Sequence, residues 1–145
     1  MTLDTPQVFT PEEGILATGQ PSHEDFATLA TQGFGTVINL RSAQEMQGSD
    51  EHTLVQSLGM TYVHIPIDGP EDVTLEHART LHQAMSQASE GKLLIHCGSS
   101  NRVGALLALR AHDILGHTKS DALAYGERAG LESLKPRVEQ VFAQA

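Results

Sequence analysis

Leu93-Leu94-Ile95-His96-Cys97-Gly98-Ser99-Ser100-Asn101-Arg102-Val103-Gly104 is the stretch whose reading decides the fold. Leu93 to Ile95 are apolar without alternation, which marks a strand covered on both faces, as at the centre of a parallel sheet. Small residues from Gly98 to Asn101 make a tight loop. A helix opens at Arg102 and runs to about Leu115, apolar on most faces and therefore central, until Gly116 stops it. A buried strand, a tight loop and a central helix form the unit from which α/β domains are built. In open parallel sheets the ligand sits beyond the carboxyl ends of the strands, which is where this loop lies.

The flanking sequence alternates strand and helix in the same way. Ile15-Leu16-Ala17 predicts a short edge strand, and Thr18-Gly19-Gln20-Pro21 turns the chain. Ser22 and Asp25 have the spacing of a capping box for a helix to about Thr31, with Phe26, Leu29 and Ala30 on one face. Gly33 ends that helix, and Val37 to Leu40 is a buried strand. Residues 41–50 read as a polar loop, followed by a short helix from about Glu51 to Leu58. Tyr62 to Ile65 is a strand stopped by Pro66. A loop over residues 67–72 leads into a helix from about Thr74 to Gln87, with Leu75, Ala78, Leu81, His82 and Met85 at helical spacing. Two more helices follow, about Ser120 to Ala129 and Pro136 to Ala143. The expected fold class is α/β, with a mainly parallel central sheet flanked by helices on both sides. A single domain is expected over residues 1–145, with residues 1–13 as an extended arm.

The loop from Cys97 to Arg102 is suited to one task. Its small residues let successive backbone N–H groups converge on one anion, and the helix N-terminus adds partial positive charge. Arg102 contributes a planar fork that can bind two phosphate oxygens. The same field favours a thiolate at Cys97. One geometry thus makes both a nucleophile and the receptor for an anionic substrate. The bland alternative treats Cys97 as a small buried hydrophobe and Arg102 as a surface residue. It leaves the small, polar loop at this point of the sheet unexplained.

Bulk properties narrow the remaining classes. The chain has 145 residues, 39% hydrophobic and 19% charged, as in ordinary globular domains rather than disordered or membrane-spanning ones. Its net charge of −9 argues against nucleic acid and anionic lipid as partners. With only nine Lys and Arg, any phosphate site is a local positive spot in a negative field. Cys97 is the single cysteine, so an intramolecular disulfide and a cysteine-rich zinc site are excluded. The eight histidines are scattered, and the pairs His77/His82 and His112/His117 miss the spacing that puts two ligands on one helical face. No metal or cofactor is expected. No basic segment followed by an apolar one opens the chain, so the expected location is cytoplasmic.

Thr18-Gly19-Gln20-Pro21, Gly33-Phe34, Val37-Ile38-Asn39-Leu40-Arg41 with Glu45, His64-Ile65-Pro66, the loop from His96 to Arg102, and Ala129-Gly130-Leu131 occur in that order over residues 14–135. Together they resemble the bacterial dual-specificity-phosphatase-like family of the protein tyrosine phosphatase superfamily. This domain type is also found in beta-lactamase-hydrolase-like proteins. The resemblance implies attack by the Cys97 thiolate on a phosphomonoester of a protein or small molecule. A thiophosphoryl enzyme then forms, and water hydrolyses it without a metal. Arg102 and the amides of Gly98, Ser99, Ser100 and Asn101 would hold the phosphoryl oxygens. By its distance from Ile65-Pro66, Asp68 matches the superfamily's general acid, with Glu71 and Asp72 as alternatives. Arg41 either contacts substrate or braces the loop, with Glu45 as partner. Gln20 and Asn39 help shape the pocket, and His96 is a hydrogen-bonded core histidine on the opposite face from Cys97. Tyr62 and Phe34 are assigned to packing.

Two departures from the superfamily pattern leave other readings open. Most of its phosphatases have five residues between Cys and Arg, whereas this chain has four. Members of the bacterial subgroup share that gap. Rhodanese-type sulfurtransferases also use four, to hold one persulfide sulfur. Val103 stands where a Ser or Thr often assists breakdown of the intermediate, and Ser99 or Ser100 is the available substitute. A sulfurtransferase and a phosphate-binding pseudophosphatase are the alternatives.

Overall fold

The computed structural model describes residues 1–88 and 91–144. Their elements run β1 (Val8–Glu12), β2 (Ile15–Thr18), α1 (His23–Thr31), β3 (Phe34–Asn39), α2 (Glu51–Ser57), β4 (Thr61–His64), a 3-10 turn (Pro70–Asp72), α3 (Leu75–Ser86), β5 (Lys92–His96), α4 (Asn101–Asp113), α5 (Lys119–Arg128) and α6 (Lys135–Gln144). The strands form one sheet in the order β1-β2-β5-β3-β4. β2, β5, β3 and β4 are mutually parallel, and only β1 is antiparallel to its neighbour. The expected α/β class, with β5 at the centre, is what the structure has.

One strand assignment is corrected. Ile15–Thr18 is not an edge strand, because β1 pairs along its outer side. The first 13 residues therefore contain a strand and are not simply an extended arm. That strand is hard to read because Pro11 lies within it and the pairing shifts register between Phe9 and Glu12. A proline lacks the ladder donor and is tolerated at such an irregular edge.

Period-two alternation sends neighbouring residues of each strand to opposite layers. Leu16, Val37 and Leu94 pack with Phe26 and Leu29 of α1 and Val55 of α2. Ala17, Ile38, Ile95 and Cys97 join the larger core made with α3, α4, α5 and α6. α4 lies at its centre, buried from Val103 through Leu109. Gly104 lets α4 and α5 approach closely: a Cβ there would lie 2.2 Å from the Leu131 amide nitrogen and 2.6 Å from the Gly126 carbonyl. None of the described helices is long and apolar enough to cross a membrane.

Candidate active site

The parallel register lines up the carboxyl ends of four strands. Thr18, His96, Asn39 and His64 are successive partners across the sheet. Cys97 follows His96, is fully buried, and faces the layer opposite to His96. β2 guides the chain into the loop: Cys97 N–H donates to Thr18 O at 3.2 Å, and Gln20 N–H to Gly98 O at 3.4 Å.

Two loop side chains hold the loop's shape. Ser100 is buried in the left-handed region at φ 73°, and its hydroxyl donates to Ala129 O at 2.6 Å. Gly130 sits beneath it at φ 101°, where a Cβ would lie 2.6 Å from that of Ser100. The Ala129-Gly130-Leu131 element thus supports the loop from below. Asn101 Oδ1 accepts from the amides of Glu132 and Leu134, and Nδ2 donates to Ser133 Oγ at 2.7 Å. The Ser100 hydroxyl proton is thus engaged at Ala129 O, and the Asn101 side chain is tied to residues 132–134 by three bonds. The Ser99 side chain, by contrast, is exposed.

Arg102 folds back over the loop, its Nη2 3.3 Å from where a Cβ on Gly98 would stand. Nη1 donates to Glu45 Oε1 at 2.6 Å and to Ile67 O at 3.0 Å, and Nη2 donates to Glu45 Oε2 at 2.9 Å. The bond to Glu45 and the neighbouring Cys97 both strengthen the guanidinium's hold on its proton. Arg102 in turn keeps the Glu45 carboxyl well below the usual carboxylate range, with Ser42 and Arg41 acting in the same direction against partial burial. Glu45 also closes a local turn: it accepts from the Ser42 amide at 2.8 Å, while its own amide donates to Ser42 Oγ at 3.1 Å.

Arg41 takes the bracing arrangement. Its Nε donates to Glu45 Oε2 at 3.1 Å, its Nη1 to Gln20 Oε1 at 2.7 Å, and its amide to Asn39 Oδ1 at 2.8 Å. Gln20 and Asn39 thus shape the site through Arg41. The three acids on the 67–72 loop are differently disposed. Asp72 Oδ2 accepts from the Asp68 amide at 2.9 Å, and the Glu71 carboxylate lies over Gly69. The exposed Asp68, with Gly69 and Pro70, walls one side of a cavity of about 210 Å³. Ser99, Asn101 and Arg102 form its other side.

Glu51 was not anticipated from the sequence. It is 4% exposed at the start of α2, and its Oε2 lies 2.7 Å from His96 Nε2. Gln20 and Tyr62 also donate to it. Its carboxyl titrates below the usual value: burial works the other way but is outweighed by the bonds from His96, Gln20 and Tyr62. Tyr62 is thus a hydrogen-bonding residue and not only a packing one. Burial raises its phenol above the usual range, and the Glu51 carboxylate adds to the rise. Phe34 does pack in the core. No group of three or more His, Cys, Asp or Glu among the described residues could hold a metal ion.

Residues 8–112 match the family described as beta-lactamase hydrolase-like protein, phosphatase-like domain. The chain belongs to this family. The phosphatase-like domain is 36% identical over 101 residues to a beta-lactamase hydrolase-like protein of Agrobacterium fabrum, covering 67% of this chain and 23% of that protein. The chain therefore spans about a quarter of the length of this relative. Among solved structures, a candidate phosphatase from Neisseria meningitidis superposes with a TM-score of 0.76 at 20% identity, over 94% of this chain and 97% of that one. Pseudomonas aeruginosa TpbA, in a cysteine-to-serine form complexed with phosphotyrosine, gives a TM-score of 0.61 at 19% identity, over 90% and 78%. The phosphatase-like domain thus has the cysteine-phosphatase fold.

Proposed function

We propose that the phosphatase-like domain hydrolyses phosphomonoesters through a thiophosphoryl intermediate on Cys97. The observation that carries the reading is Arg102 folded back over Gly98, on the loop that Cys97 begins. Nη1 is fully engaged by Glu45 and Ile67, and Nη2 gives one N–H to Glu45. The Nε–H and the second Nη2 N–H are parallel donors and remain for two phosphoryl oxygens. The amides from Gly98 to Arg102 supply further donors for developing charge.

The Cys97 thiolate attacks phosphorus, the S–P bond forms, and the P–O bond to the leaving group breaks. Asp68, protonated at this stage, gives its proton to the departing oxygen. Water then attacks the thiophosphoryl group, the Asp68 carboxylate takes a proton from it, and S–P cleavage returns the thiolate and inorganic phosphate. Asp68 is the favoured acid because it lines the cavity with Arg102, whereas the Asp72 carboxylate is engaged by a backbone amide. The TpbA complex supports phosphotyrosine-like esters as the substrate class, carried on a protein or a small molecule. The neutral-pH chemistry of one unpaired thiol suits a reducing compartment, the cytoplasm.

Cys97→Ser tests the assignment with an aryl phosphate. It should abolish turnover while keeping the fold and oxyanion binding, because the hydroxyl is not ionised near neutral pH. Turnover close to that of the unsubstituted chain would remove Cys97 from the mechanism.

A second reading, a sulfurtransferase carrying a persulfide on Cys97, is favoured by the four-residue loop and the fully buried thiol. A ring one amide shorter suits one sulfur atom better than a phosphoryl group. Thiosulfate with cyanide as acceptor, assayed beside the aryl phosphate, separates the two.

A further inference from the structure

We propose that Glu51 is a positioning residue: its buried carboxylate holds the His96 ring, protonated on both nitrogens, against the nucleophile loop, and through Gln20 and Arg41 steadies the Glu45–Arg102 pair. The proposal rests on Cys97 acting as a thiolate and goes beyond it by naming what sets the loop.

A carboxylate at 4% exposure is costly unless its oxygens are satisfied. Glu51 is satisfied by three side chains from three other segments. His96 Nε2 is at 2.7 Å and the Tyr62 hydroxyl at 2.9 Å, both on Oε2, and Gln20 Nε2 is 2.7 Å from Oε1. Each of these leads on to the site. Gln20 Oε1 accepts from Arg41, and Arg41 donates to the Glu45 carboxylate that grips Arg102. Asn39 donates to the Tyr62 hydroxyl and accepts from the Arg41 amide. His96 immediately precedes Cys97.

The His96 ring has acceptors at both ends. A carboxylate faces Nε2, and the Cys97 carbonyl lies 3.4 Å from Nδ1. Neither can donate, so both contacts are attractive only when both nitrogens carry protons. Thr18 of β2 and Asn39 of β3 are the uncharged sheet neighbours of His96, and Phe26 of α1 meets the ring edge-on at 6.0 Å. The titratable groups bonded to the ring's cluster are Glu51 itself and Tyr62 of β4, reached through Glu51, while the Cys97 thiol lies in the opposite layer. The ring lies in the layer opposite to the Cys97 side chain, so it acts through the backbone: held by Glu51 at one end, it grips the Cys97 carbonyl at the other and fixes the start of the loop whose amides and Arg102 favour the thiolate.

The sign of one substitution separates this account from simple charge repulsion. Acting alone, a carboxylate near a thiolate disfavours it, so Glu51→Gln would speed the reaction of Cys97. Acting by positioning, its loss releases the ring proton and slows that reaction. The probe is iodoacetamide, a neutral alkylating agent, used on the full chain at pH 6.5, where Cys97 is the only thiol. Glu51→Gln should slow alkylation about tenfold, the factor carried by one pH unit of thiolate ionisation. An unchanged or faster rate overturns the proposal. Tyr62→Phe removes one donor from the carboxylate but leaves the His96 contact, and should cost far less. An equal loss in both variants would mean general loosening and also overturns it. If Glu51→Gln does not fold, nitrogen NMR of the His96 ring in the unsubstituted chain decides: both nitrogens should carry protons at pH 6.5, and a neutral ring overturns the proposal. Alkylation needs no phosphoester. A chain that alkylates as expected yet hydrolyses no phosphoester therefore sinks the phosphatase reading and leaves this one standing.

Discussion

Glu45 and Arg102, 57 residues apart, meet end to end, with Oε1 2.6 Å from Nη1 and Oε2 2.9 Å from Nη2. The pair fixes the plane of the guanidinium and turns its remaining edge toward the loop. A lysine at 102 would keep the charge but could not grip both carboxylate oxygens and still present two parallel donors. Arg102→Lys should therefore be nearly as damaging as Arg102→Ala, each losing on the order of a hundredfold in turnover of an aryl phosphate. Vanadate affinity should fall in both. Near-normal turnover in the lysine variant would contradict the fork.

The same pair predicts a pH dependence of stability. Arg102 holds the Glu45 carboxyl below its ordinary value of 4.5 in the folded chain. Its contribution is thus fully present above that value and is lost as pH falls through the lower folded value. Thermal midpoints measured from pH 7 down to strongly acid should show Glu45→Gln destabilised at neutral pH. The gap to the unsubstituted chain should narrow below about pH 4.5, the ordinary carboxyl value. A gap that is constant with pH would mean that the carboxylate charge does not contribute.

Asp68→Asn should slow substrates with poor leaving groups more than activated aryl phosphates, because an acid matters most when the departing oxygen is basic. The comparison is a series of aryl phosphates of rising phenol basicity. An equal loss throughout would point to binding, and the same pattern in Asp72→Asn but not Asp68→Asn would move the assignment to Asp72.

Gly104→Ala tests how the loop's support is packed. A methyl group there would collide with Leu131 and Gly126 backbone atoms, which cannot move aside as a side-chain tip can. Overpacking of this kind costs about 1–3 kcal/mol or more. The thermal midpoint should fall, and turnover should fall with it because Ala129 and Gly130, beside that contact, hold Ser100. An unchanged midpoint would contradict the close contact of α4 and α5.

The central loop was legible because its signals are local: an unbroken apolar run, a lone cysteine, small residues and an arginine at a helix start. Ser22 and Asp25 were read as a cap for the same reason, and the box is present. Asp25 also accepts from the amides of Asp4 and Thr5, which no local spacing announces. Glu51 was illegible because an acid in the first turn of a short helix is an ordinary surface residue. It is buried only because β4, β5 and the turn after β2 converge on it. The Tyr62 hydroxyl was missed with it, since its partners lie on other segments. Glu45 was visible as a nearby partner for Arg41, but the partner that gives Glu45 its role, Arg102, is remote in sequence. Residues 15–17 looked like an edge only because β1 was masked by its proline.

The most direct test of the central claim is mass spectrometry of the chain quenched rapidly after mixing with an activated aryl phosphate. A phosphoryl group on the peptide containing Cys97, absent in Cys97→Ser and decaying as phosphate is released, is the predicted result. No phosphoryl adduct at Cys97, with a persulfide forming there on exposure to thiosulfate, would contradict it.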